Sequence, residues 1–234
     1  CYWASEYHID GFRFDLMGVL DIETLNEARK ALLKINPDII MYGEGWTGGE
    51  STLPESERGM KINAPRTPGI GMFSDDIRDA VKGHVFYMDE LGFVNGAADR
   101  GEELKQAVMC AKWAKSPMQS INYLSCHDNY TLWDRFIISN SHESEEMRIR
   151  MNKLAAAILF TAQGIPFFLH GEEFARTKIS EADGTPVENS YCSPISVNAI
   201  DYDRAEQFSD LKAYYKGLIA LRRAHKSFYL DTVD

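Results

Sequence analysis

Residues 8–44 hold an alternating run, a helical stripe and a continuous apolar run, in that order, and this succession leaves few folds open. In residues 8–14, Phe12 and Phe14 fall on one face of a strand while Gly11, Arg13 and Asp15 fall on the other, because strand side chains alternate. Asp21 then stands where a helix N-cap belongs. Leu25, Ala28, Leu32 and Ile35 recur at helical spacing until Asn36-Pro37 ends the helix. Ile39, Ile40, Met41 and Tyr42 follow without polar alternation, the pattern of a strand buried on both faces of a parallel sheet. Strand, helix and strand make a βαβ unit, and its right-handed crossover makes the two strands parallel neighbours. Asp15 and Glu44 are therefore expected side by side at the carboxyl-terminal edge of the sheet, where α/β barrels carry their active sites. Two carboxylates so placed point to glycoside chemistry.

The unit repeats along the chain. Residues 75–81 read as part of another such unit. Leu104, Ala107, Val108 and Ala111 mark a helix, and residues 120–125 a strand that ends in Cys126-His127-Asp128-Asn129. Met147, Met151, Leu154, Ala155, Ile158 and Leu159 mark a long helix, broken by Gly164-Ile165-Pro166. Phe167-Phe168-Leu169 reads as one more buried strand, ending in His170-Gly171-Glu172-Glu173, and Leu211, Tyr214, Tyr215, Leu218 and Leu221 as a closing helix. Residues 179–189, with Asp183-Gly184 and Thr185-Pro186, read as an irregular loop. Polar and charged residues thus recur where strands end.

The 234 residues suffice for one domain with a sizeable core, and the net charge of −10 argues against nucleic acid or an anionic membrane as partner. No apolar run approaches the roughly 20 residues that cross a bilayer, so a soluble chain is expected, with cytoplasmic and secreted locations both open. Cys1, Cys110, Cys126 and Cys192 show no paired short spacing, and signal neither a zinc site nor a disulfide framework.

Three segments carry a resemblance. Asp10-Gly11-Phe12-Arg13-Phe14-Asp15, Gly43-Glu44-Gly45-Trp46 and His127-Asp128-Asn129 resemble the second, third and fourth sequence signatures of the alpha-amylase family of glycoside hydrolases, in the right order. Each is weak alone; three in register are strong. Tyr42-Gly43-Glu44-Gly45-Trp46, residues 73–79, Ser120-Ile121-Asn122-Tyr123 and Thr131-Leu132-Trp133-Asp134 narrow the resemblance to type I pullulanases, over nearly the whole chain. It implies a (β/α)8 TIM barrel, here an incomplete one covering about strands four to eight, as a single partial catalytic domain over residues 1–234 without its first strands or a carboxyl-terminal β-sandwich. Five strands do not close such a barrel, so self-association through the open edges is expected.

The resemblance implies roles as well: Asp15 as nucleophile, Glu44 as general acid and then base, and Asp128 as the carboxylate that stabilises the transition state, with Arg13, Trp46 and His127 binding substrate. Physical chemistry is compatible with each. A retaining glycosidase holds its two carboxyl groups roughly 5 to 5.5 Å apart, and parallel neighbours about 4.8 Å apart set such a gap. Arg13, two residues before Asp15 on the same face, is placed to keep that carboxylate ionised. Glu44 must start protonated, which burial near Trp46 or repulsion from Asp15 would favour. Asp128 and His127 suit hydrogen bonds to sugar hydroxyls that strengthen as the ring flattens.

Plainer readings compete. Alone, Arg-x-Asp on a strand is more often a surface ion pair, Gly-Glu-Gly more often a loop with a solvated carboxylate, and a histidine like His127 more often structural. Glu172 and Glu173 also end a strand, and a structural role is favoured for them because the family places no reacting carboxylate there. Of Trp46, Tyr130, Trp133, Tyr191 and Tyr202, which are all able to stack on glucose rings, only Trp46 adjoins the acid in sequence. A thiol hydrolase built on Cys126 is rejected, since it would leave Asp15 and Glu44 idle. The expected activity is hydrolysis of α-1,6 branch bonds in pullulan and related α-glucans by retaining double displacement. The alternatives are isoamylase-type or α-1,4 hydrolysis, or an inactive α-glucan-binding fragment. The expected partner is an α-glucan polysaccharide or oligosaccharide, and no cofactor or metal is required. Calcium is compatible with the resemblance, but no Asp/Asn-rich ligand loop of recognisable spacing signals it.

Overall fold

A computed structural model describes residues 1–232. Five short parallel strands pair strictly in chain order: β1 (Gly11–Phe14), β2 (Ile40–Gly43), β3 (Gly71–Ser74), β4 (Ser120–Asn122) and β5 (Ile165–Pro166). The helices are α1 (Tyr2–Glu6), α2 (Ile22–Leu32), α3 (Asp75–Lys82), α4 (Gly101–Met109), α5 (Leu132–Ser139), α6 (Glu145–Thr161), α7 (Ile195–Asn198), α8 (Asp203–Gln207) and α9 (Ser209–Ala224). The expected βαβ unit is present. Asp21 caps α2 by accepting a hydrogen bond from the Thr24 amide at 2.7 Å, and β1 and β2 run parallel with Phe14 opposite Gly43.

Register decides which side chains meet. Phe12, Phe14 and Met41 share the outer face, where they pack with Leu25 and Leu32 of α2. A larger outer core gathers Ile77, Val81, Leu132, Phe136, Leu159, Leu211 and Tyr215 from α3, α5, α6 and α9. Each fully buried residue of this kind contributes about 1.5–3 kcal/mol. On the opposite face Phe73, Ile121 and Tyr123 cluster with Tyr42, Ile165 and Phe167. Among the described residues no helix is long and apolar enough to cross a membrane.

Three expectations are corrected. The strands are shorter than their apolar runs: the ladder covers 11–14 of residues 8–14 and 120–122 of residues 120–125. Phe167-Phe168-Leu169 is not a strand. The ladder there is Ile165–Pro166, and only the Phe167 amide still reaches β4, donating to the Asn122 carbonyl at 2.7 Å. Once β4 ends at Asn122, the following residues have no neighbour to pair with. Finally, β2 is not buried on both faces. Ile40 is 52% exposed because its partner across the ladder is Gly11, which has no side chain to cover it.

Candidate active site

The register that pairs Phe14 with Gly43 makes Asp15 and Glu44 the next residues out of adjacent strands. The approach is close: a Cβ on Gly43 would lie 2.5 Å from the Phe14 carbonyl oxygen, so glycine is required there. The Glu44 amide donates to that carbonyl at 3.0 Å, extending the ladder by one bond. Leu16 then takes a left-handed conformation (φ 44°), uncommon for leucine, and its amide donates to Glu44 Oε2 at 2.9 Å.

Arg13 bridges the two carboxylates. Its Nη2 donates to Glu44 Oε1 at 2.6 Å and its Nη1 lies 3.0 Å from Asp15 Oδ1. The expected Arg13–Asp15 pair is therefore present but not exclusive. Glu44 is only 4% exposed, with both oxygens bonded, whereas the Asp15 side chain is 70% exposed. One ligating atom each of Asp15, Glu44 and His127 lie within 4.8 Å of one another, as do those of Cys126, His127 and Asp128. Either triplet has the donor types of a cation site. In the first, the Arg13 guanidinium already stands against both carboxylates and supplies the balancing positive charge.

Asp128 lies 3.5 Å from His127 Nε2 in a turn that continues into Asn129, which is left-handed (φ 59°). That turn is tied down from the far end of the chain. The buried Lys178 ammonium donates to the His127 carbonyl at 3.3 Å and to Ser190 Oγ at 2.7 Å, and Asn189 Oδ1 accepts from the Asn129 amide at 3.0 Å. Burial holds the Lys178 amine below its usual value.

A cleft of about 690 Å³ opens over this edge of the sheet. Arg13, Glu44, Trp46 and Asp128 line it, with Lys61, Phe73, Asp75, Arg78, Asn189 and Tyr191 among the other walls. Asp15 and His127 do not belong to the lining, although both carry atoms within reach of Glu44. The floor is aromatic: Phe73 meets Tyr42, Tyr123 and Phe167 edge-on with ring centroids 5.7, 4.9 and 5.2 Å away. Arg13 lies over the Phe73 ring and Arg78 donates to the Tyr123 hydroxyl at 2.6 Å. Such a surface, apolar with a few fixed charges, suits a sugar ring with its apolar faces and polar rim.

The other candidates separate cleanly. Glu172 is buried, accepting from Ser125 Oγ and from the Tyr215 hydroxyl, which fits the structural role expected of it. Trp133 belongs to the core, Tyr202 stacks edge-on against His170, and Tyr191 is largely exposed at the cleft. Burial pushes the Cys126 thiol up, so little reactive thiolate is available there. Among the described residues all four cysteines are free. Sequence reasoning missed Lys61, Lys178 and Asn189. Lys178 and Asn189 lie in or beside a stretch read only as loop, and Lys61 precedes β3 with no periodic pattern to mark it.

No family model matches the chain. Individual proteins do. The pullulanase of Bacillus subtilis (strain 168) is 41% identical over 98% of this chain and 32% of its own length. A crystal structure of a pullulanase from Paenibacillus barengoltzii, in complex with maltohexaose and α-cyclodextrin, is 48% identical over all of this chain and 36% of that one, with a TM-score of 0.92. Another from Anoxybacillus sp. LM18-11, complexed with maltotetraose, is 44% identical with a TM-score of 0.94, covering all of this chain and 33% of that one. The chain thus spans about a third of the length of the relatives it matches. Two carboxylates bridged by Arg13 stand at the ends of neighbouring parallel strands, and along its whole length the chain is similar to type I pullulanases.

Proposed function

We propose that this chain carries the catalytic centre of a debranching glycoside hydrolase that cleaves α-1,6 bonds in pullulan and related α-glucans with retention. The observation that carries the reading is the approach of Asp15 and Glu44 carboxylate oxygens to within 4.8 Å of each other at one sheet edge. So close an approach of the nearest oxygens is compatible with the roughly 5 to 5.5 Å between carboxyl groups of retaining enzymes. In the first step an Asp15 oxygen bonds to the anomeric carbon while Glu44 gives its proton to the departing glycosidic oxygen. The product of that step is a glycosyl ester on Asp15 and a released sugar alcohol. In the second step Glu44 takes a proton from water as the water oxygen displaces Asp15, regenerating the Asp15 carboxylate and the protonated Glu44. In this reading Asp128 and His127 hold ring hydroxyls, and Arg13 pairs with Asp15 as the leaving carboxylate.

The ligands of the crystallised relatives, maltooligosaccharides and a cyclodextrin, support an α-glucan as the partner. The sequential order of five parallel strands supports the further proposal that residues 1–234 are part of a (β/α)8 barrel, about its fourth to eighth strands, with self-association through the unpaired edges. The test is maltotriose release from pullulan. The chain is expected to release it, and Glu44→Gln to abolish that release. Panose as product would overturn the linkage assignment, and glucan binding without cleavage would favour the binding-fragment reading.

A further inference from the structure

Lys61 has no role in the chemistry above, yet it touches the acid-bearing turn through both its backbone and its side chain. Its backbone amide donates to the Gly45 carbonyl at 3.1 Å. Its side chain runs so close to Gly45 that a Cβ there would lie 2.9 Å from Lys61 Cγ. Its ammonium lies 4.8 Å from the centre of the Trp46 ring and 5.9 Å from that of Trp113, and it pairs with the Asp75 carboxylate at the start of α3, the residue after β3. The side chain is only 16% exposed, and the residue lines the cleft with Glu44, Trp46 and Asp75.

We infer that Lys61 is a positioning residue for the proposed reaction, clamping Trp46 and the Glu44 turn against β3 so that both face the leaving-group sugar. The inference rests on the catalytic reading of Glu44. Trp46 itself has one ring face engaged by the ammonium, so whatever sugar contact it makes uses the other face or its edge. The clamp needs the charge: a cation over an indole is attracted by the ring quadrupole, and the attraction grows as both are desolvated. The groups that set the charge of Lys61 are Asp75 and Asp76, which favour it, and Arg78, which opposes it. Burial outweighs the acids and holds the amine below its ordinary value.

The test combines Lys61→Met, which keeps the packing of the stem, with Lys61→Arg, which keeps the charge. In Lys61→Met, kcat for maltotriose release is expected to fall on the order of tenfold, as misplacement of reacting groups does, with KM changed less. Lys61→Arg should recover most of it. Independently, the Trp46 indole N–H resonance, assigned through Trp46→Phe, should titrate at alkaline pH in the parent with a midpoint below the ordinary lysine value, and lose that titration in Lys61→Met. An indole signal that does not follow Lys61, or equal losses in the Met and Arg variants, overturns the clamp. If the parent releases no maltotriose, the functional reading fails for this chain, and the indole titration still decides whether the clamp exists.

Discussion

Glu172 and Lys82 are two buried groups, near enough to feel each other's charge, that the chemistry does not use. Burial pushes the Glu172 carboxyl up to about 7 and the Lys82 amine down to about 7. Ser125, three residues before Asp128, donates to Glu172, so Glu172 anchors the segment that leads into the turn carrying a proposed catalytic carboxylate. Its consequence for stability has a definite sign. The folded chain keeps a proton on Glu172 that the unfolded chain has already released, so stability falls as pH rises from about 4.5 to about 7. Isolated from other groups, that fall is on the order of 3 kcal/mol. Glu172→Gln keeps the shape and most hydrogen bonds but cannot ionise. Urea denaturation at several pH values in this window should show a shallower loss of stability in the variant than in the parent, and identical slopes would refute the assignment. Asp15, Glu44 and Asp128 could be singled out from sequence because each sits inside a short motif, the first two directly after a strand and Asp128 in the turn beyond β4. Glu172 was legible only as something other than a catalyst, since its burial and partners come from three helices and a loop far apart in the chain.

Lys178 joins two segments that the sequence offers no reason to connect. Its amide donates to Asp134 Oδ2 at 2.9 Å on α5, while its ammonium reaches the His127 carbonyl and Ser190 Oγ. Ser190 in turn donates to Asn198 Oδ1 at 2.7 Å on α7. The loop carrying Asn189 and Tyr191 is therefore held to the Asp128 turn through one buried amine. In Lys178→Met, the His127 carbonyl and the buried Ser190 Oγ lose a donor, which costs about 1–3 kcal/mol. The Asn129 amide should then exchange with solvent faster than in the parent, measured by hydrogen exchange. Unchanged protection of Asn129 would show that Asn189 alone holds the turn. Sequence patterning found α2, α4, α6 and α9 because an apolar stripe repeats over at least two turns. It overran the strands because apolar composition persists past the last paired residue, and only a neighbour's backbone decides where pairing stops. Residues 179–189 read as loop and are one, with a single bridge between Ile179 and Pro186. Their function lies in what they contact, which composition does not encode.

The βαβ reading carried through to the parallel sheet and its active edge, since crossover handedness and strand register follow from chain geometry rather than from particular side chains. What the βαβ pattern alone does not give, and the open edges expected of five strands do, is an exposed inner face near β1. Among the described residues β1 pairs only with β2, and Ile40 stands uncovered beside Gly11. Tyr2, Trp3 and Tyr7 form an exposed aromatic group on and just after α1, the helix that leads toward this edge, with ring centroids 5.0 to 6.0 Å apart. An unpaired strand flanked by exposed apolar side chains is a template for another chain. The chain is therefore expected to sediment above the mass of one copy at micromolar concentration. A lysine in place of Ile40 puts a charge on the inner face at the one apolar position of β2 that is already exposed. Such a change costs the fold little, because Ile40 is half in water, but it disfavours a second chain that would have to bury the ammonium. Sedimentation equilibrium of Ile40→Lys should shift toward monomer with an unchanged melting temperature. A parent that is monomeric from the outset would show instead that the open face is tolerated in water. An Ile40→Lys variant that associates as strongly as the parent would place the contact elsewhere, away from the β1 and β2 face.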